Sequence, residues 1–108
     1  MVLLYALEKA ILLQMCKQSL SVGDAVALEA QIRSASVLFW ENSGAGFFTT
    51  LVTDRDTTPV GTRIVTGVFA DLAGLKNSMA FVLFLEDGFV SKLEGAAIEE
   101  STIDFDFF

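Results

Sequence analysis

The sequence predicts an α+β fold in which an N-terminal helix or helix pair packs on a mainly antiparallel sheet of about five or six strands. Helix-favouring Leu, Ala, Glu, Lys and Gln dominate the start of the chain, whereas Val, Phe and Thr with recurrent turn residues dominate from Ala35 onward. The 108 residues are the length of one typical domain. We expect a single domain, 1–108, with helices in 1–34, the sheet in 35–95 and an acidic aromatic segment in 96–108.

The first helix is predicted over residues 2–18, which contain neither Gly nor Pro. At about 100° per residue the polar side chains scatter around the axis, so the helix is apolar nearly all round and must be covered on more than one face. Either the sheet of the same chain or another subunit could cover it. The polar residues are Glu8, Lys9, Gln14, Lys17 and Gln18.

The apolar N-terminal stretch fits neither a secretory signal nor a membrane span. Glu8 and Lys9 interrupt it, whereas a signal needs positive charge before its apolar core and a span needs about 20 apolar residues. Cys16 is the only cysteine, so no intramolecular disulfide can form, and its apolar neighbours predict a buried thiol. We expect a cytoplasmic protein in a reducing compartment.

A second, shorter helix is predicted over Ala25–Arg33. Ser21 and Asp24 have the spacing of a capping box just before it. An alternating strand remains an alternative, because apolar side chains also recur at every second position, at Val26, Leu28, Ala30 and Ile32.

Five strands follow from runs of β-branched and aromatic residues, at Ser36–Glu41, Gly46–Thr53, Arg63–Asp71, Met79–Glu86 and Phe89–Glu94. The first two should form a hairpin, because the glycines between them can adopt the bend that a short loop requires. Residues 54–61 contain the only proline and are predicted to form an exposed loop.

Asp87 and Gly88 separate the last two strands as a type I′ turn requires. A two-residue turn pairs Glu86 with Phe89, and regular alternation then pairs Phe84 with Ser91 and Val82 with Leu93. One face should hold Val82, Phe84, Phe89 and Leu93, and the other Phe81, Leu83, Leu85 and Val90. Since its first strand is apolar on both faces, we expect it in the middle of the sheet, or between a helix and a partner.

The C-terminal segment predicts an edge strand, because apolar Ile103, Phe105 and Phe107 alternate with Asp104 and Asp106. The alternative is an aromatic tail that docks elsewhere, for example in a neighbouring copy. Phe105 and Phe107 are therefore candidate binding residues.

The chain contains no histidine, which removes the usual general base, the Ser-His and Cys-His nucleophile systems and the commonest transition-metal ligand. The remaining candidates for acid–base chemistry are the carboxylates at strand ends, which are Glu41, Glu86, Asp87 and Glu94. Of these we select Glu41 and Glu94 as candidate site residues. Gly44 and Gly46 lie in a turn between strands, and residues 54–59 match a calcium loop only at its start. We predict no cofactor, no metal and no catalytic residue.

Three phrases, at residues 44–49, 67–75 and 81–95, resemble a group of small, functionally unassigned bacterial proteins in which they recur in this order. The resemblance covers roughly residues 25–95 and implies a shared fold, with no activity attached. The chain departs from that pattern from Ala96 onward, where it has its own acidic aromatic ending.

Charge and composition indicate the kinds of partner. The net charge of −7 disfavours nucleic acids and anionic membranes, and the 53% hydrophobic content exceeds what a small monomer can bury. We therefore predict a non-catalytic protein-binding or self-assembly module, with a homo-oligomer, most simply a dimer, as its form. Two alternatives are an acidic immunity or inhibitor protein that binds a basic toxin such as a nuclease, and an enzyme using Glu41 and Glu94.

Overall fold

The computed structural model describes residues 2–107 and shows an α+β fold with two helices on one face of an antiparallel sheet. The helices are α1, Ala6–Gln18, and α2, Val22–Ser34. The strands are β1, Val2–Leu3; β2, Ser36–Asn42; β3, Gly46–Val52; β4, Ile64–Ala70; β5, Met79–Glu86; and β6, Phe89–Ala97. Their order across the sheet is β1-β2-β3-β6-β5-β4, so β3 and β6 are central.

The chain starts as a strand and not as a helix. Val2 pairs with Val37, and α1 begins only after Tyr5, whose backbone N–H donates to the Glu8 carboxylate at 2.8 Å. The prediction of a helix from residue 2 was wrong at these first residues, because pairing with β2 outweighs their helix propensity. The prediction of the second helix is confirmed, and α2 begins right after Ser21, whose hydroxyl accepts from the Asp24 amide.

The core lies between the helices and the face of the sheet that they cover. Helix residues at the spacing of one helical face, such as Ile11, Leu12 and Met15 of α1, are buried against the alternate residues of the strands. Phe47, Phe81 and other core side chains come from the sheet, and β5 lies between β4 and β6. The fold class and the five predicted strands are confirmed, with β1 as an additional short edge strand.

The predicted register of the last hairpin was wrong beyond its turn. Asp87 and Gly88 have the positive φ angles of a type I′ turn, 54° and 87°. Leu85 pairs with Val90, but Phe84 then pairs with Lys92, so Ser91 is an extra residue in β6. This β-bulge reverses the alternation of the rest of the strand. Leu93 is therefore buried in the core, and not on the face of Phe84 as predicted.

The C-terminal segment forms no strand between residues 98 and 107, and the edge-strand prediction was wrong. The strand before it, β6, is central and paired on both sides, and the chain turns at Glu99, whose φ is 55°. The segment folds back onto the β2–β3 loop, where the Asn42 side-chain amide donates to the carbonyls of Thr102 and Phe105. Phe108 lies outside the described residues.

Candidate binding surface

One face of the sheet carries neither helix, and strand register determines which side chains lie on it. Phe48 pairs with Glu94 and Thr50 with Lys92 across β3 and β6. In the next pair of strands, Val82 pairs with Glu94 and Phe84 with Lys92. Paired residues point to the same side of a sheet, opposite to the buried Phe47, Leu83 and Leu93. We define the open face as the six paired residues of β3, β5 and β6 together with four residues of β2 and β4 on the same side. The ten residues are Phe39, Glu41, Phe48, Thr50, Ile64, Phe69, Val82, Phe84, Lys92 and Glu94.

The open face exposes large apolar side chains on its outer strands. Phe39 of β2 is 53% exposed, and Ile64 and Phe69 of β4 are 52% and 62% exposed. The Phe39 ring lies 6.1 Å from the ring of Phe48, which extends the aromatic surface from β2 to β3. Exposed apolar side chains thus lie on both sides of the open face, and exposed apolar surface of this kind is typical of interaction sites.

Lys92 lies at the centre of the open face, between two aromatic rings. Its Nζ atom is 5.3 Å from the centroid of Phe48 and 5.4 Å from that of Phe84, both within the range of a cation–π contact. Regular alternation would place Lys92 on the face of Leu83 and Leu85, and the sequence therefore did not identify it as a site residue. The bulge at Ser91 brings Lys92 to the open face, and no motif in the sequence predicts that bulge.

Glu41 and Glu94, the two predicted site carboxylates, lie on the same face of the sheet. Both pair with Phe48, one from each side, so their Cα atoms are separated by two strand spacings, about 10 Å. Phe48 therefore lies between them on the sheet. The structure thus brings them onto the open face as two acidic positions around an aromatic surface.

Phe105 and Phe107, the other predicted site residues, lie in the folded-back C-terminal segment. Their ring centroids are 4.7 Å apart, and the ring of Phe107 is 4.8 Å from that of the buried Phe47. Phe107 packs against the core of its own chain. The two phenylalanine rings thus contact each other, and Phe107 packs on the core side of the sheet, whereas Glu41 and Glu94 lie on the open face.

Comparisons with known proteins provide no functional information about this chain. No family model, no curated protein and no solved structure matches this chain. Among residues 2–107, no three His, Cys, Asp or Glu side chains are grouped as metal ligands would be. None of the helices within this range has the length and hydrophobicity to cross a membrane.

A groove beside the edge strand β4 borders the open face at Ile64, and two of its polar side chains bond the strand edge. It has a volume of about 490 Å³ and is lined by the α1–α2 connection and by β4. Gln18 Nε2 donates to the Gly67 carbonyl and the Ser19 hydroxyl donates to the Thr66 carbonyl, at 2.8 and 2.9 Å. These contacts satisfy carbonyls of the exposed strand edge, a common protection against unwanted strand pairing.

Among the residues that the structure describes, Cys16 and Glu100 have shifted pKa values, and neither belongs to the open face. Burial and the nearby Glu29 carboxylate raise the pKa of the Cys16 thiol, which is half-buried in α1. The backbone N–H groups of Lys76 and Asn77 donate to the Glu100 carboxylate and lower its pKa. The Glu100 contacts hold the β4–β5 loop against the C-terminal segment, so we assign them a structural role.

Proposed function

We propose that this chain is a non-catalytic protein-association module that acts through its open face. The observation that supports this most directly is the exposure of Phe39, Ile64 and Phe69 on a sheet face that neither helix covers. A two-layer α+β domain normally buries one face of its antiparallel sheet and keeps the other polar. Here the second face is also largely apolar, as expected for a surface that is buried in a complex.

Half-buried charges within the apolar surface support specific binding over non-specific hydrophobic association. Lys92 and Glu94 lie two positions apart on the same face of the central strand β6, where an approaching protein must pair them or leave them desolvated. Charges of this kind select partners, because a mismatched partner would bury them without compensation. Glu41 adds an acidic position next to Phe39.

The composition supports association over catalysis. The chain has no histidine, and its one cysteine has a raised thiol pKa, which makes a poor nucleophile near neutral pH. A lone thiol of this kind fits a reducing compartment, and we propose that the module works in the cytoplasm.

Photo-crosslinking tests the proposal. A photoreactive phenylalanine analogue replaces Phe69 on the open face, and the matched control replaces Val22, an 83% exposed residue of α2. We expect a discrete protein adduct after irradiation in the native host from position 69 and none from position 22. Equal labelling at both positions, or no protein adduct at position 69, would contradict association through the open face.

A further inference from the structure

We propose that the open face binds a second copy of this chain, face to face, about a two-fold axis that runs between the two sheets, perpendicular to β6, and passes over Leu93. This inference rests on the proposed function and specifies its partner. It uses three properties of the open face: its charge pattern, the sizes of its paired side chains and its area.

The charge pattern of β6 is self-complementary in one orientation. Lys92 and Glu94 are two positions apart on β6 and point to the same face. An axis that lies between the two sheets, perpendicular to β6, places Lys92 of one copy opposite Glu94 of the other, twice. An axis parallel to β6 would instead place Lys92 against Lys92 and Glu94 against Glu94. Because like charges in contact cost several kcal/mol, the pattern selects the perpendicular axis.

Side-chain size supports the same orientation. The residues at the level of Lys92 are Thr50 on β3 and Phe84 on β5, and those at the level of Glu94 are Phe48 and Val82. The perpendicular axis brings Thr50 opposite Phe48 of the other copy and Phe84 opposite Val82. A large side chain thus meets a smaller one on each flanking strand, as in close sheet-on-sheet packing about 10 Å apart.

The size of the molecule is compatible with a stable dimer. The molecule measures 38 × 29 × 20 Å along its principal axes, and the shortest axis matches a helix layer on a sheet layer. Its broad side spans roughly 1,000 Å² in projection, so it has room for the ~800 Å² that each partner contributes to a standard interface. Sheets packed face to face keep their strands within about 30° of alignment, so the pairs nearest the axis stay in register.

Charge reversal tests the arrangement by analytical ultracentrifugation at micromolar concentration. We expect the unchanged chain to be a dimer, and Lys92→Glu alone or Glu94→Lys alone to weaken dimerisation by at least about a hundredfold, since each places like charges together. Mixing the two single variants should produce a 1:1 dimer, because one copy then carries two positive charges and the other two negative ones. The double variant Lys92→Glu with Glu94→Lys should dimerise again.

Lys17→Glu is the matched control, because it makes the same charge change at an exposed position of α1 and should leave the dimer intact. Circular dichroism of every variant shows whether it is folded. The mixing experiment remains informative even if the two single variants differ in how far they lose dimerisation. A monomeric unchanged chain, or a dimer unaffected by the single reversals, would overturn the inference. A crosslink from position 69 to a different protein would then leave the proposed function standing with another partner, whereas no adduct would remove both.

Discussion

Gly95 shows how little space the centre of the sheet leaves. A Cβ added there would lie 2.7 Å from Cε1 of Phe47, 3.0 Å from Cε1 of Phe81 and 3.1 Å from Cε of Met79. Real Cβ atoms essentially never approach other atoms closer than 3.0 Å, so the rings would have to move. The absence of a side chain at this position is therefore what allows two large aromatic residues to pack over β6.

Gly95→Ala should destabilise the fold by about 1–3 kcal/mol, as overpacking of a close-packed core does. Urea denaturation of both proteins measures the difference in the free energy of unfolding. Gly23→Ala is the matched control, because it adds the same methyl group on α2 with no atom within 4 Å. Helix propensity predicts a gain of up to about 0.5–1 kcal/mol there. Equal effects of the two substitutions would show that packing around Gly95 is looser than described.

The buried side-chain amide of Gln31 connects the helix layer to the sheet. Gln31 of α2 donates from Nε2 to the carbonyls of Thr58 and Gly88, and its Oε1 accepts from the Val90 amide. A fully buried polar side chain is favourable only when its hydrogen bonds are made, and here two bonds reach the β5–β6 hairpin and one reaches the loop between β3 and β4. The sequence shows a glutamine in a predicted helix and nothing of this role.

The side chain of Asn42 makes four of the hydrogen bonds at the β2–β3 loop and the C-terminal segment. Asn42 holds the segment with two donated bonds, and Asn42 Oδ1 accepts from the Gly44 amide and the Thr102 hydroxyl. The Thr102 amide itself donates to the Gly44 carbonyl. One amide side chain thus organises both the β2–β3 loop and the segment that folds onto it.

Asn42→Ala should release this segment while the sheet remains folded. We expect hydrogen exchange at the Thr102 amide to become at least about tenfold faster, since a loss of about 1.4 kcal/mol in local opening energy has that effect. Ser43→Ala is the control, because the neighbouring Ser43 uses its backbone N–H, and not its side chain, to bond the Gly46 carbonyl. Unchanged protection at Thr102 in the Asn42 variant would show that ring packing by Phe107 holds the segment without the amide.

The strands show where local patterns predict an element and where they fail. The boundaries of β5 and the Asp87-Gly88 turn are as predicted, because alternation and a dipeptide with positive φ angles are local properties. The bulge at Ser91 was not predictable in this way, since its position depends on how the hairpin twists and packs against the helices. That single extra residue buries Leu93 and places the β6 charges on the open face.

For the whole molecule, the net charge of −7 opposes the association of two identical copies. We expect the proposed dimer to tighten when salt is raised from about 10 mM to about 150 mM, because the Debye length falls from about 30 Å to about 8 Å and screens this repulsion. The half-buried Lys92–Glu94 contacts should be screened less. Sedimentation equilibrium over this range measures the dissociation constant.

The acidic-inhibitor hypothesis predicts the opposite salt dependence, for a different complex. A complex between this chain and a basic toxin is steered by attraction between opposite charges, so its affinity should fall as salt is added. A self-association that weakens steadily with salt would contradict the dimer described above, in which apolar burial provides the attraction and net charge opposes it.

The amino-acid sequence by itself determined the fold class, the two helices, the five main strands and the turns between them, because propensity, capping and alternation act over a few neighbouring residues. It also indicated surplus apolar surface, without locating it. Only the tertiary structure decided which sheet face stays open, that Lys92 and Glu94 lie on it with Glu41, and that Phe105 and Phe107 pack within the chain. Those outcomes depend on strand register, a β-bulge and competition for sheet edges, which are settled by contacts between distant parts of the chain.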